Sequence, residues 1–258
     1  MSLVVQISDT HFGTERPEVV RALHDAIGQL APDLVVLSGD VTQRARRTQF
    51  DAARRFIDSY ARPTLVVPGN HDVPLFNLAA RLFDPFGGYR RVFGRTLEPV
   101  VDTDDLLVIG VNTVRAARHK NGEVSRKQIA HIAERLRHAR DTQLRIVVTH
   151  QPVHVIREKD IDNLLIGHEG AIDAWSDTGA DLVLGGHIHL PYVRPLKNGL
   201  WSVQAGTALS TRIREGISNS FHAIRHEGML ARVDQWNFDE GSQVFRAGTA
   251  TDIPLRRR

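Results

Sequence analysis

The feature that most constrains this chain is a set of short apolar runs, each of which stops at a residue able to hold a metal ion. Leu3–Ile7 leads into Ser8-Asp9-Thr10-His11, and Leu34–Leu37 leads into Ser38-Gly39-Asp40. Leu65–Val67 is followed by Pro68-Gly69-Asn70-His71-Asp72 and Ile146–Val148 by Thr149-His150. Leu182–Leu184 is followed by Gly185-Gly186-His187-Ile188-His189. These runs, with Leu106–Val111, are rich in Val, Ile and Leu and do not alternate with polar residues, which is the pattern of strands buried on both faces. Between them lie helical patterns. Val19, Val20, Leu23, Ile27 and Leu30 share a face behind an early Pro17. Phe50, Ala53, Phe56 and Ile57 repeat the pattern, as do Ile129, Ile132 and Leu136 behind the capping box Ser125–Gln128. Such alternation predicts an α/β sheet, and ligands of open α/β sheets bind beyond the carboxyl ends of the strands. Asp9, His11, Asp40, Asn70, His150, His187 and His189 should converge on one rim, with His71 to spare.

The residue types narrow the chemistry. The chain has no cysteine, so disulfides and thiolate metal sites are excluded. Carboxylates and imidazoles suit Mn, Fe, Zn or Co. One aspartate shared between two ions can hold them about 3.5–4 Å apart, as two-metal hydrolysis requires. Glycines before Asp40, Asn70 and His187 let the backbone turn sharply near the site. The pairs Asp9/His11 and His187/His189 are two residues apart, so extended chain would put each pair on one face.

In this order the motifs resemble the calcineurin-like metallophosphoesterase superfamily, closest to the bacterial branch of class III cyclic-nucleotide phosphodiesterases and glycerophosphodiesterases. They span Asp9 to His189, roughly seven tenths of the chain. The resemblance implies a four-layer α/β/β/α sandwich of two mixed sheets. It implies two metal ions of the Fe, Mn or Zn type: one held by Asp9, His11, Asp40 and His189, the other by Asp40, Asn70, His150 and His187, with Asp40 bridging. His71 would bind neither ion and would face the substrate. Members often carry a second histidine after the position of His150, where this chain has Gln151. Two such ions lower the pKa of water between them and set it for in-line attack on phosphorus.

With 258 residues the chain is expected to form one domain over 1–258. After Pro191 the strand-like segments Leu200–Gln204, Ser220–Arg225, Met229–Phe238 and Gln243–Arg246 predict antiparallel sheet. Segment 73–95 interrupts the rhythm with Phe76, Phe83, Phe86, Tyr89 and Phe93 among arginines. It reads either as a helical excursion packing its aromatics or as a lid or substrate wall. Arg44, Arg46 and Arg47 read as a solvated helix start or as a phosphate-steering rim. Asp72 could orient its loop or a neighbouring imidazole, or act as a structural cap. Asn112, Thr113 and Arg115 or Arg118 are candidates either for supporting the site or for substrate contact, and His154 could reach substrate; His168 is a helix start, and His24, His119, His131, His138, His222 and His226 are surface or packing residues.

The net charge of +3, to which the tail Arg256-Arg257-Arg258 contributes, is too mild to indicate nucleic-acid binding. No apolar run approaches the ~18 residues of a membrane span. Met1 leads into Leu3–Ile7 without a basic stretch or cleavage site, so a cytoplasmic location is expected. The expected activity is hydrolysis of small-molecule phosphodiesters, with phosphomonoesterase, nucleotide pyrophosphatase and nuclease as alternatives; a homo-oligomer is left open. A scaffold that lost its metals is disfavoured, because no ligand position in the motifs is substituted.

Overall fold

The computed structural model describes residues 1–256, so Arg257 and Arg258 of the basic tail lie outside the described residues. In chain order the strands are β1 (Ser2–Ile7), β2 (Leu34–Ser38), β3 (Thr64–Val67), β4 (Val100–Asp102), β5 (Leu106–Gly110) and β6 (Leu144–Val148), then β7 (Leu182–Gly185), β8 (Tyr192–Pro195), β9 (Trp201–Gln204), β10 (Ser220–Glu227), β11 (Leu230–Asp239) and β12 (Val244–Pro254). The helices are α1 (Pro17–Leu30), α2 (Arg47–Asp58), α3 (Leu78–Phe83), α4 (Gly87–Phe93), α5 (Arg126–Arg137) and α6 (His168–Asp177). One sheet is ordered β12-β11-β10-β1-β2-β3 and the other β4-β5-β6-β7-β9-β8. Both are mixed: β1, β2 and β3 are parallel and β10 joins β1 antiparallel, while β5, β6, β7 and β9 are parallel between antiparallel edges.

The lack of alternation in the apolar runs now has its cause. Val4, Val36 and Val67 of the first sheet meet Val108, Ile146 and Leu184 of the second in a core between the sheets. The opposite face of the first sheet, with Val5, Ile7 and Val35, is covered by Val19, Leu23 and Ile27 of α1 and Phe50 and Ala53 of α2. The opposite face of the second, with Leu107, Val147 and Val183, packs on Ile132 and Leu136 of α5 and Trp175 of α6. A strand covered on both faces has no reason to alternate. The layers run α/β/β/α, as the resemblance implied. The capping box of α5 is formed as read: the Gln128 N–H donates to Ser125 Oγ at 3.2 Å and the Ser125 N–H to Gln128 Oε1 at 3.0 Å.

Two expectations need correction. The segments after Pro191 do not make a sheet of their own. β9 runs parallel to β7, pairing Trp201 with Leu182, and only β10 to β12 form an antiparallel meander. Segment 73–95 packs its aromatics in its second half alone. Phe86 and Tyr89 are buried, with the Tyr89 hydroxyl donating to Val66 O at 2.7 Å, whereas Phe76, Leu78, Leu82 and Phe83 face solvent. Among the described residues no helix is long and apolar enough to cross a membrane.

Candidate metal centre

The first sheet delivers Asp9, Asp40 and Asn70 just past β1, β2 and β3; the second delivers His150 and His187 just past β6 and β7. The rim therefore straddles both sheets. Extended chain does not account for the paired residues: Asp9 and His11 fall in one group of donor atoms, whereas His187 and His189 fall in two different ones. Asp9, His11, Asp40, His187 and His189 are not extended but left-handed, with φ of 51°, 43°, 48°, 72° and 52°. Each such residue costs of order 1–3 kcal/mol and persists only where its surroundings impose it. The strain folds the chain back on itself at the strand ends, and neighbouring loops hold it there. The Asp9 N–H donates to Gly39 O at 3.1 Å, the His11 N–H to Asp40 O at 2.9 Å, and the His187 N–H to both Asp9 carboxylate oxygens at 3.1 and 3.0 Å. Two glycines make room. A Cβ on Gly39 would lie 2.4 Å from the His150 ring, and one on Gly186 would lie 2.0 Å from Ser8 Oγ and 2.6 Å from Asp9 Oδ2.

Three groups of donor atoms result, with all atoms of each within 4.8 Å of one another: Asp9–His11–His189, Asp40–His150–His187 and His11–Asp40–His71. Asp40 stands between the first two, with Oδ1 3.2 Å from His150 Nε2 and Oδ2 3.7 Å from His11 Nε2. Asn70 Oδ1 lies 3.2 Å from the same His150 nitrogen. His71 is held differently: its N–H donates to Asp40 Oδ1 at 2.8 Å and its Nδ1–H to Gln43 O at 2.9 Å.

The tautomers fit ion binding. A carbonyl can only accept, so the protons of His150 and His189 sit on Nδ1, bonded to Ser38 O at 2.9 Å and to Arg212 O. Their Nε2 atoms then face the centre. His189 Nε2 meets Asp9 Oδ1 at 3.2 Å, two acceptors that a proton or a cation must reconcile. His11 is buried with Nδ1 unpartnered. Burial chiefly pushes His11 down to about 3, despite the pull of Asp40 and Asp9, and pushes His187 down to about 3 as well; both are neutral and free to coordinate at neutral pH.

His150 goes the other way. Burial would lower it, but the charge and hydrogen bond of Asp40, with Asp9 behind, raise it to about 9. Without an ion His150 is an imidazolium paired with Asp40, so an ion that takes this nitrogen must displace a proton. Metal affinity should therefore rise about tenfold per pH unit from about pH 6 and level off near His150's raised value of about 9. Titration of the metal-free chain with Mn or Zn across that range checks this; an affinity flat with pH would remove His150 from the ligands.

A family model described as calcineurin-like phosphoesterase matches residues 2–191. The chain belongs to the calcineurin-like phosphoesterase family. It is accordingly a metal-dependent phosphoric ester hydrolase. An Arcobacter nitrofigilis protein named "Probable glycerophosphodiester phosphodiesterase GpdQ" is 26% identical over 200 residues, covering 72% of this chain and 71% of that one. A Synechococcus protein named "Probable cyclic nucleotide phosphodiesterase" is 24% identical over 204 residues, covering 74% of each. Among solved structures, the purple acid phosphatase PPD1 from yellow lupin superposes with a TM-score of 0.75 at 14% identity over 98% of this chain. This chain spans about half of that phosphatase chain, 53%, and the likeness is one of fold.

Around the candidate ligands of this phosphoesterase, several sequence readings resolve. Asp72 clasps two loops, accepting from Gly69 N at 2.9 Å, Val41 N at 3.1 Å, and Thr42 N and Oγ1 at 2.8 Å each. Thr113 and Gln151 bond to each other, and Arg115 donates to Gln128 at 2.7 Å and Arg118 to Glu123 at 3.1 Å, so these four are wired into the scaffold. Asn112 is likewise engaged, its carbonyl accepting from Gln128 and Arg115. His168 opens α6 and bonds to Leu165 O; the His154 ring packs edge-on against Tyr192. Of the basic group after Asp40, Arg47 is exposed beside Asp51 while Arg44 turns over the Phe76 ring, 5.7 Å from its centre. His119 is exposed, as read, and lines a solvent-open cleft with Arg44, Asn70, His71, Leu75 and Arg81. Sequence reasoning missed Arg212, whose carbonyl fixes His189; the only signal was a basic residue in a long connection without a pattern of its own.

Proposed function

We propose that this chain hydrolyses phosphodiester bonds of small molecules, of the glycerophosphodiester or cyclic-nucleotide type, at a two-metal centre. One ion would be held by Asp9, His11, Asp40 and His189, the other by Asp40, Asn70, His150 and His187. The observation that carries this reading is the position of Asp40, which faces His11 on one side and His150 on the other at bridging distance. When bound, the ions supply Lewis acidity and a nucleophile drawn from water at neutral pH.

The chain's own groups do the rest. The left-handed turns at Asp9, His11, Asp40, His187 and His189 fix the donors before substrate arrives, which lowers the reorganisation that turnover would demand. His71, with Nδ1–H tied to Gln43 O, presents Nε2 at the mouth of the cleft. Protonated there, it can stabilise charge on the phosphoryl group or deliver a proton to the departing oxygen. Asp72 keeps the Asp40 and Asn70–His71 loops in mutual register.

The diester preference rests on room. A diester carries a second arm on phosphorus, and the cleft opens directly from Asn70 and His71 with Leu75 and Val73 as apolar wall and Arg44, Arg81 and His119 as polar partners. Segment 73–95 thus serves as a substrate wall through its first turn. The names of the bacterial relatives support the same class. The expected result is a kcat/KM about tenfold or more higher for a bis-aryl phosphate than for its mono-aryl counterpart, at matched metal and pH. Glycerophosphodiesters, cyclic nucleotides and dinucleotides run in parallel refine the arm. A clear advantage for the monoester would put the enzyme among the phosphatases.

A further inference from the structure

The connection between β9 and β10, residues 205–219, has no helix or strand of its own, and long connections of that kind in compact domains are usually functional. This one is pinned on both sides of Arg212. The Arg16 N–H donates to Leu209 O and the Thr211 N–H to Thr14 O, each at 2.9 Å. Asn219 Nδ2 donates to Ser210 O at 2.9 Å, and Arg214 grips the buried Asp160 with two bonds of 2.9 and 2.6 Å. Arg212 is therefore placed rather than loose. Its carbonyl accepts from His189 Nδ1 and from Thr207 Oγ1 at 3.1 Å. Its guanidinium donates from Nη1 to Gln43 Oε1 at 3.1 Å, and the carbonyl of that same Gln43 takes the Nδ1–H of His71. One residue thus touches both the His189 and the His71 sides of the centre.

The charge of Arg212 is unanswered. Arg16, Arg214, Arg225 and Arg232 each pair with a carboxylate, whereas Arg212 pairs with none among the described residues. A guanidinium has five N–H donors in a planar fork suited to phosphate, and the structure spends one on Gln43. Half-buried and beside the centre, it lacks an anion.

We propose that Arg212 is a substrate-binding residue that holds a non-bridging oxygen of the phosphoryl group, with Gln43 orienting its fork. This rests on the phosphoesterase site described above and extends it to a loop beyond the motifs. The arginine would bind diester and product phosphate alike, so it adds affinity for the phosphoryl group rather than choice of its arms.

The test uses the full chain loaded with Mn, inorganic phosphate as the probe, and the variants Arg212→Lys and Arg212→Met. Metal content should stay at the wild-type level in both. The Kd for phosphate should rise about 10- to 100-fold in Arg212→Met, the value of a lost charge-assisted bond, and by less in Arg212→Lys. Phosphate binding of wild-type strength in Arg212→Met would overturn the proposal. Loss of metal from both variants would also overturn it, since the loop would then serve only to support His189. Binding is read without turnover, so a wild-type chain that binds phosphate but hydrolyses no diester would sink the diester reading while the Arg212 comparison still decides its own question.

Discussion

Asp40→Ala should lower kcat/KM by about 10⁴-fold or more, and Asp9→Ala by distinctly less, about 10²-fold. Asp9 faces one triad; Asp40 faces two and holds more besides. Its Oδ1 takes the His71 N–H and faces His150, and its Oδ2 faces His11. Burial would raise its pKa, yet the charge and hydrogen bond of His150 hold it well below the usual carboxylate range, so it stays ionised wherever the enzyme works. Its removal uncouples the two halves of the site and leaves His150 without its counter-charge. Asp40→Asn, which keeps the shape and removes the charge, guards against a variant that fails to fold; it should lose activity nearly as far with an unchanged circular dichroism spectrum. Equal and mild losses in the Asp40 and Asp9 variants would contradict a bridging role.

His71→Ala should keep its metal and lose about 10²–10⁴-fold in kcat, the usual worth of a positioned proton donor. The geometry makes this a real choice, because His71 shares a donor group with His11 and Asp40 and its ring centre lies 4.8 Å from that of His11. Its Nδ1 is committed to Gln43 and its position is at the cleft, where a leaving oxygen would emerge. His71→Gln, which can still donate a hydrogen bond but cannot carry a proton, should recover part of the binding and little of the turnover. Metal analysis beside steady-state kinetics decides it. Loss of metal together with activity would make His71 a ligand.

The ligand-type residues were legible because each sits directly behind a buried strand, and a run of Val, Ile and Leu announces its own end. The cap at Ser125–Gln128 was legible for the same reason: its partners are three residues apart. What could not be read were relations across the chain. Nothing in Leu200–Gln204 states that its neighbour is β7 rather than a later strand, since alternation records burial and not the partner. The edge strands Val100–Asp102 and Tyr192–Pro195 are too short to leave a pattern. Phe76 and Phe83 looked like packing aromatics beside Phe86 and Tyr89, and only tertiary placement separates the exposed pair from the buried one. The two-residue spacing of Asp9/His11 and His187/His189 suggested extended chain, but all four residues are left-handed, and His187 and His189 serve different groups of donor atoms. Arg212 was invisible because the neighbours that tie it to the centre, His189 and Gln43, come from two other parts of the chain.

The most direct test is the metal content of chain purified without chelator and then reconstituted with Mn, Zn or Fe. The structure predicts about two ions per chain, removable by a chelator and restored together with diester hydrolysis, because seven donors on two sheets are preset around a shared aspartate. A reproducible stoichiometry near zero after reconstitution with all three metals would contradict it.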